Sequence, residues 1–522
     1  MKTIELPSEF NAATYFIDRN VREGRGHKVA IECGDQQVTY AQLLERVNRF
    51  GNVLKKLAVK QEERISLLLL DTPEFFYGFF GSIKIGAIPI PLNTLLKPAE
   101  YEYMLNDCRA RIAVVSASLY PQIQAIPKTN LRYLQKIVVV GDAPEGAEAL
   151  QQLMDGSSGE LQAEATNKDD AAFWLYSSGS TGFPKGCVHL HHDMAVCAEL
   201  YAKAILKITE RDRFFSVAKL FFAYGLGNGC YFPLSIGATS ILLSGSPSPP
   251  NIYETIERFK PTLFFSVPSN YVSLLSYQRP DGSDFDLSPI RHAVSAGEPL
   301  PAPIFHRFKE RFGVEILDAI GSTEALHMFI ANCPGAVRPG SSGQLIPGYD
   351  ARIVDENDQP VADNQIGSLM IKSDAVCSCY WNQHEKTKDT IQGHWLRTGD
   401  KYYRDPDGYY WYVGRSDDML KVKGMWVSPV EIESLLLEHP LVQEAAVIGL
   451  ADGNELVKPA AYVVLKNGSA KDDHLSDELK QLITNRLAAH KCPHWIEFVK
   501  ELPKTATGKI QRYKLRKAAE GG

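Results

Sequence analysis

The residues best suited to chemistry begin at Tyr176. Tyr176-Ser177-Ser178-Gly179-Ser180-Thr181-Gly182-Phe183-Pro184-Lys185-Gly186 directly follows a short apolar run. Glycines let the main chain approach an anion closely, and successive N–H groups with hydroxyls form a concave acceptor for phosphate oxygens. Lys185 adds a point charge. This is not a Walker loop, because Lys185 is followed by Gly186 rather than by serine or threonine. A generic Gly/Ser run is an ordinary surface loop, but the hydroxyls and closing lysine make this one more particular. Other candidates are bland when taken singly. Asp400, in Arg397-Thr398-Gly399-Asp400, reads as a turn residue, and Lys509, in Thr507-Gly508-Lys509, as a solvated charge. Cys187, His189, His191 and His192 beside the loop suggest a metal, but no matching ligand set accompanies them.

Together and in this order, these motifs resemble the adenylate-forming superfamily of acyl- and aryl-CoA ligases, luciferases and peptide-synthetase adenylation domains. The resemblance covers nearly the whole chain. It implies that Ser177 to Gly182 and Lys185 cradle the triphosphate of ATP, and that Gly297-Glu298-Pro299 lines the adenine. It implies a flank of the adenine from Asp318, Ile320, Gly321 and Ser322, with Thr323 reaching the α-phosphate. Glu324, with Thr181, would hold magnesium, since a carboxylate beside a polyphosphate needs a cation between them. Asp400 would bind the ribose with Arg415 nearby, and Lys509 would be the catalytic lysine.

The chemistry implied is attack of a carboxylate oxygen on the α-phosphorus of ATP, then transfer of the acyl group to coenzyme A. Negative charge builds where three anions meet, so the site must supply cations and oriented donors. By the same resemblance a small domain rotates between the steps about Asp417. It then presents Lys421 and Gly424 to the thiol arm of CoA. Lys421 has an equally plain reading as a strand-edge lysine.

Three clues bear on the acid. Gly321 leaves space where acetate-specific relatives carry a bulky aromatic. Phe222, Ala223 and Tyr224 match the opposite wall, with no aspartate to pair an amino-acid ammonium. His327 is placed to hydrogen-bond a carboxylate, or is a satisfied structural histidine. Lys219 to Gly227 together with Gly321 to His327 look like the benzoate–CoA ligases, so the expected substrate is a small aromatic acid, benzoate first and a hydroxybenzoate or another small acid next. A luciferase-like oxygenase and a non-catalytic nucleotide-binding module remain the rivals from other classes.

These residues need a scaffold of 522 residues, long enough for two or more domains. Ile65 to Leu70, Ile112 to Val115, Ile137 to Val140, Phe173 to Tyr176, Thr239 to Leu243, Thr262 to Val267, His292 to Ala296 and Val314 to Leu317 read as buried strands. Tyr40 to Leu57 has a helical apolar face. Strands alternating with helices imply an α/β domain of mainly parallel sheets flanked by helices. From about 335 to 400 the texture turns β-rich, and the first domain is expected to span 1–415. Residues 416–522 read as a small, mobile α+β domain. In it Ser428 and Glu431 form a capping box and Ser476 caps a second helix.

A net charge of −6 argues against a broad nucleic-acid surface. Nine scattered cysteines fit reduced thiols in a cytoplasmic protein. No secretory signal or membrane span is read. Two further partners stay open: a second copy of the chain as a homodimer, and a lysine acetyltransferase that would silence Lys509 by removing its charge.

Overall fold

Elements form where apolar periodicity and end signals agree. Thr39 accepts from Gln42 N while Gln42 accepts from Thr39 N, a complete capping box for helix Tyr40–Lys56. Leu43, Val47, Phe50 and Leu54 lie on its buried face. The computed structural model describes residues 4–177, 184–416, 418–422, 425–451, 457–466, 473–504 and 510–520.

The large domain carries three sheets. One is wholly parallel: Ile88–Pro91, Arg64–Leu68, Ile112–Ser116, Lys136–Val140 and Glu148–Ala149, in that spatial order. The second is mixed. Its parallel part orders Val29–Cys33, Thr239–Leu242, Arg213–Ser216, Leu263–Ser266, His292–Ser295 and Ile316–Gly321. Antiparallel strands then continue the same sheet from Met328–Ala331 through Gly343–Leu345 to Tyr409–Arg415, Trp395–Arg404, Gly367–Lys372 and Asp350–Val354. The expectation of an α/β domain holds, with mixed rather than mainly parallel pairing in this larger sheet. The third sheet is small and antiparallel, joining Cys379–Tyr380, Lys185–Leu190 and Ala171–Ser177.

The C-terminal part is α+β. Val442–Ala451 pairs antiparallel with Val457–Leu465, which pairs parallel with Trp495–Val499. Ile432 and Leu436 of helix Pro429–Leu436, with Leu479 and Ile483 of helix Asp473–Thr484, close its core. Two local expectations are corrected here. Ser428 does cap its helix through Glu431 N, but the return half of the box is missing because Glu431 Oε2 pairs with Lys491 Nζ at 2.6 Å. Ser476 lies inside helix Asp473–Thr484, on which Leu475, Leu479 and Ile483 share the buried face. Among the described residues no helix is long and apolar enough to cross a membrane.

Candidate active site

Strand Ile316–Gly321 ends in Ser322, Thr323 and Glu324, and several elements converge on that segment. Ser177 and Lys185 face each other across the hairpin of Ala171–Ser177 and Lys185–Leu190. In sequence the predicted phosphate loop joins these two paired residues. Ser178, Gly179, Ser180, Thr181 and Gly182 lie outside the described residues. Ser177 Oγ donates to Glu324 Oε1 at 3.3 Å, and Tyr380 Oη donates to the same oxygen at 2.7 Å. Lys185 Nζ stands 4.4 Å from the centre of the Tyr380 ring, a cation–π distance. Burial, then the Glu324 charge, push the Tyr380 phenol up, so its hydroxyl remains the donor.

A second group holds the segment from behind. His189 Nε2 lies 2.9 Å from the Thr323 carbonyl oxygen, which can only accept, so this nitrogen donates. His189 Nδ1 lies 2.8 Å from Asp193 Oδ2, which also accepts from Leu190 N. Both side chains are fully buried, and Phe173 stacks on the imidazole. On the far side, His192 Nδ1 and Nε2 each lie 2.9 Å from a carbonyl, of Lys168 and Asp374. Its Nε2 is also 3.2 Å from Asp193 Oδ1, an oxygen that receives no hydrogen bond among the described residues, so this contact is one of charge. Burial lowers the His192 pKa, while Asp193 and the two carbonyls raise it, and the net shift is upward. Neighbouring His191 is different: it accepts from Ala12 N, and burial lowers it to about 4. These histidines are clamps on main chain.

The opposite wall is apolar and aromatic. His327 is 2 % exposed and sits among Tyr201, Tyr224, Tyr231 and Phe232, with ring centroids 4.4–6.5 Å away. Its Nε2 pairs with Asn228 Oδ1 at 3.2 Å, which puts the ring proton on Nε2 and leaves Nδ1 without a partner among the described residues. Burial lowers His327 to about 3, so it is neutral near pH 7. Gly227 exists to admit this ring, since a Cβ there would lie 2.4 Å from His327 Cδ2. Tyr224 Oη is 3.2 Å from the Ser266 and Val294 carbonyls, next to half-buried Phe222 and buried Ala223. A Cβ on Gly321 would lie 2.5 Å from the His327 carbonyl oxygen, so a side chain there requires the main chain around His327 to shift.

The remaining predicted residues ring the same strand end. Gly297 takes φ +94° beside Glu298 and Pro299. Asp318 is buried with Oδ2 accepting from Leu300 N at 3.3 Å and Oδ1 unpartnered among the described residues. Burial raises its pKa well above the ordinary value. Ile320 pairs with Ile330, and Ser322 Oγ accepts from Ala325 N. Asp400 and Arg415 are register partners with Arg415 Nη1 3.0 Å from Asp400 Oδ1. The Asp400 charge, against opposing burial, holds the guanidinium above its usual value. The C-terminal part reaches this ring where Ile510 N donates to Glu298 Oε1 at 2.8 Å. Asp417, Gly424, Lys509 and the Lys421 side chain lie outside the described residues, although Lys421 belongs to strand Leu420–Val422.

Residues 17–381 match the AMP-binding enzyme family, and residues 431–509 match the AMP-binding enzyme C-terminal domain. The chain belongs to the AMP-binding enzymes. Over 517 residues it is 47% identical to a benzoate–CoA ligase of Thauera aromatica, covering 99% of this chain and 97% of the relative. It is 44% identical to a 4-hydroxybenzoate–CoA/benzoate–CoA ligase of Rhodopseudomonas palustris, covering 98% and 95%. The crystal structure of an anthranilate–CoA ligase in complex with anthranoyl-AMP superposes with a TM-score of 0.96 at 45% identity, covering 100% and 99%.

Magnesium suits the donor set of this AMP-binding enzyme. Both described bonds to the Glu324 carboxylate fall on Oε1, and no described residue bonds Oε2. One carboxylate beside a phosphate cradle is how magnesium is usually held. Sequence reasoning missed Tyr380, Asp193 and Asn228, and it read His189 only as a discarded metal ligand. Tyr380 left a faint signal in Cys379-Tyr380-Trp381, a short β-prone run. Asp193 left none beyond its spacing of four from His189.

Proposed function

We propose that this AMP-binding enzyme is an aryl-acid–CoA ligase of the benzoate and hydroxybenzoate type, with benzoate as its preferred acid. A carboxylate oxygen of the acid attacks the α-phosphorus of ATP, the bond to the β-phosphate breaks, and pyrophosphate leaves. The CoA thiolate then attacks the acyl carbon, the acyl–phosphate C–O bond breaks, and AMP departs.

One observation carries this reading: Glu324, hydrogen-bonded in a polar cradle, and His327, neutral in an aromatic box, lie on one segment. A triphosphate and a flat uncharged ring can thus meet at one strand end. His327 brings no positive charge to the carboxylate, so attraction there falls to Lys509 and Lys185. Ser177 and the loop following it would grip phosphate oxygens, and Thr323 would donate to the α-phosphate. Gly297, Glu298, Pro299, Asp318, Ile320, Gly321 and Ser322 would enclose the adenine. Asp400, aligned by Arg415, would accept from ribose hydroxyls. Phe222, Ala223 and Tyr224 would face the aryl ring. Magnesium, held by Glu324 with Thr181, would neutralise phosphate charge when bound. The bond from Ile510 to Glu298 supports an approach of Lys509 in the first step. Turning about Asp417 would then bring Lys421 and Gly424 in for thioester formation.

The test supplies purified protein with ATP, magnesium, CoA and a panel of benzoate, the hydroxybenzoates, 2-aminobenzoate, acetate and octanoate. AMP release and the acyl thioester are followed. Benzoyl-CoA with the highest kcat/KM is expected. A faster hydroxybenzoate would replace the finer assignment, and no AMP with any acid would remove the whole reading.

A further inference from the structure

Tyr380 lies on the two-residue strand Cys379–Tyr380, far from the motifs in sequence yet between two of them in space. Its strand is strapped down on both sides. Cys377 N donates to the Glu324 carbonyl at 2.7 Å, and Trp381 N donates to the Gly186 carbonyl at 2.8 Å. The ring is 3 % exposed and packs with Cys187 and Cys377. A buried tyrosine usually satisfies its hydroxyl on any nearby carbonyl. Here it donates to the free-ended carboxylate of Glu324, sharing Oε1 with Ser177 and leaving Oε2 turned from both donors. The face of the same ring seats the Lys185 ammonium.

We propose that Tyr380 is a positioning residue for the metal–triphosphate end of the site, acting through two separable contacts. Its hydroxyl sets the Glu324 carboxylate, and its ring sets Lys185. The proposal rests on the adenylation reading only for the identity of the nucleotide.

The contacts separate in two variants. Tyr380→Phe deletes the hydroxyl and keeps the ring, whereas Tyr380→Leu deletes both. Calorimetric binding of ATP is measured with magnesium and, separately, with EDTA, so no acid needs to turn over. If no acid is activated, the proposed reaction fails while this measurement still reports. Tyr380→Phe weakens magnesium-dependent binding about tenfold or more, as loss of a carboxylate's outer partner does, and leaves metal-free binding unchanged. Tyr380→Leu also weakens metal-free binding, because Lys185 loses its seat. Unchanged binding in Tyr380→Phe, or equal loss with and without metal, overturns the proposal. So does metal-free binding in Tyr380→Leu equal to that of Tyr380→Phe. Should Tyr380→Leu not fold, Tyr380→Phe decides the hydroxyl half, and Tyr380→Met, which removes the ring with less change in volume, decides the ring half by the same metal-free measurement.

Discussion

Glu324 and His327 are three residues apart, yet their surroundings are opposite in kind. The Glu324 side is held by directed bonds: Tyr380 and Ser177 on the carboxylate, His189 on the preceding carbonyl, Asp193 behind His189. The His327 side is held by shape, with rings packed against rings and a glycine spared for the imidazole. A site that must grip a highly charged nucleotide and also admit a flat apolar ring needs both constructions. Directed bonds lose much when one partner goes, because the other stays buried and unmet. Packed walls lose less per contact, and they tolerate exchange of similar volumes.

Asp193→Ala should break the directed side hardest. It strands His189 in a fully buried place and removes the acceptor for Leu190 N. Leaving a buried polar group without its partner costs about 1–3 kcal/mol, and Leu190 N and His189 Nδ1 both lose theirs. Calorimetry should show the large-domain transition lowered, with the C-terminal part less affected. A loss near that of an exposed substitution would mean that the clamp contributes little.

The packed side is sharpened by a smaller, pH-dependent effect. His327 is neutral in the folded protein down to about pH 3, whereas in the unfolded chain it takes up a proton near the ordinary value of about 6.5. Its folded pKa is depressed, so the unfolded state binds more protons as the pH falls. The stability it allows is whole above about 6.5 and drains away towards pH 3. His327→Phe keeps the ring and removes this titration. Between pH 6 and 4 the slope of unfolding free energy should flatten by up to about 1.4 kcal/mol per pH unit. His191, lowered to about 4 by burial, keeps a residual slope in the variant. An unchanged slope would show that His327 is not the buried neutral group described.

The contrast also explains what could be read from the chain alone. Strands such as Ile112–Ser116 and helix Tyr40–Lys56 were legible because local apolar runs and periodicity agree with the final packing. Glu324 and Asp400 stand out through their motifs, and they belong to one sheet, Glu324 just past strand Ile316–Gly321 and Asp400 within Trp395–Arg404. Tyr380 does not, since its strand has two residues and its meaning comes from Glu324 and Lys185, brought near by pairing with Lys185–Leu190. The half-built box at Ser428 failed for a related reason: Lys491, distant in sequence, competes for Glu431. The mixed large sheet was hidden because apolar runs reveal strands but not the direction of their neighbours.

The central claim is that this site makes an acyl-adenylate from an aromatic acid before CoA takes part. Exchange of labelled pyrophosphate into ATP, with benzoate and magnesium present and CoA left out, reads that step alone. Label should enter ATP when the acid is added and not before. If no aromatic acid supports exchange, or if label enters equally without one, the claim is contradicted.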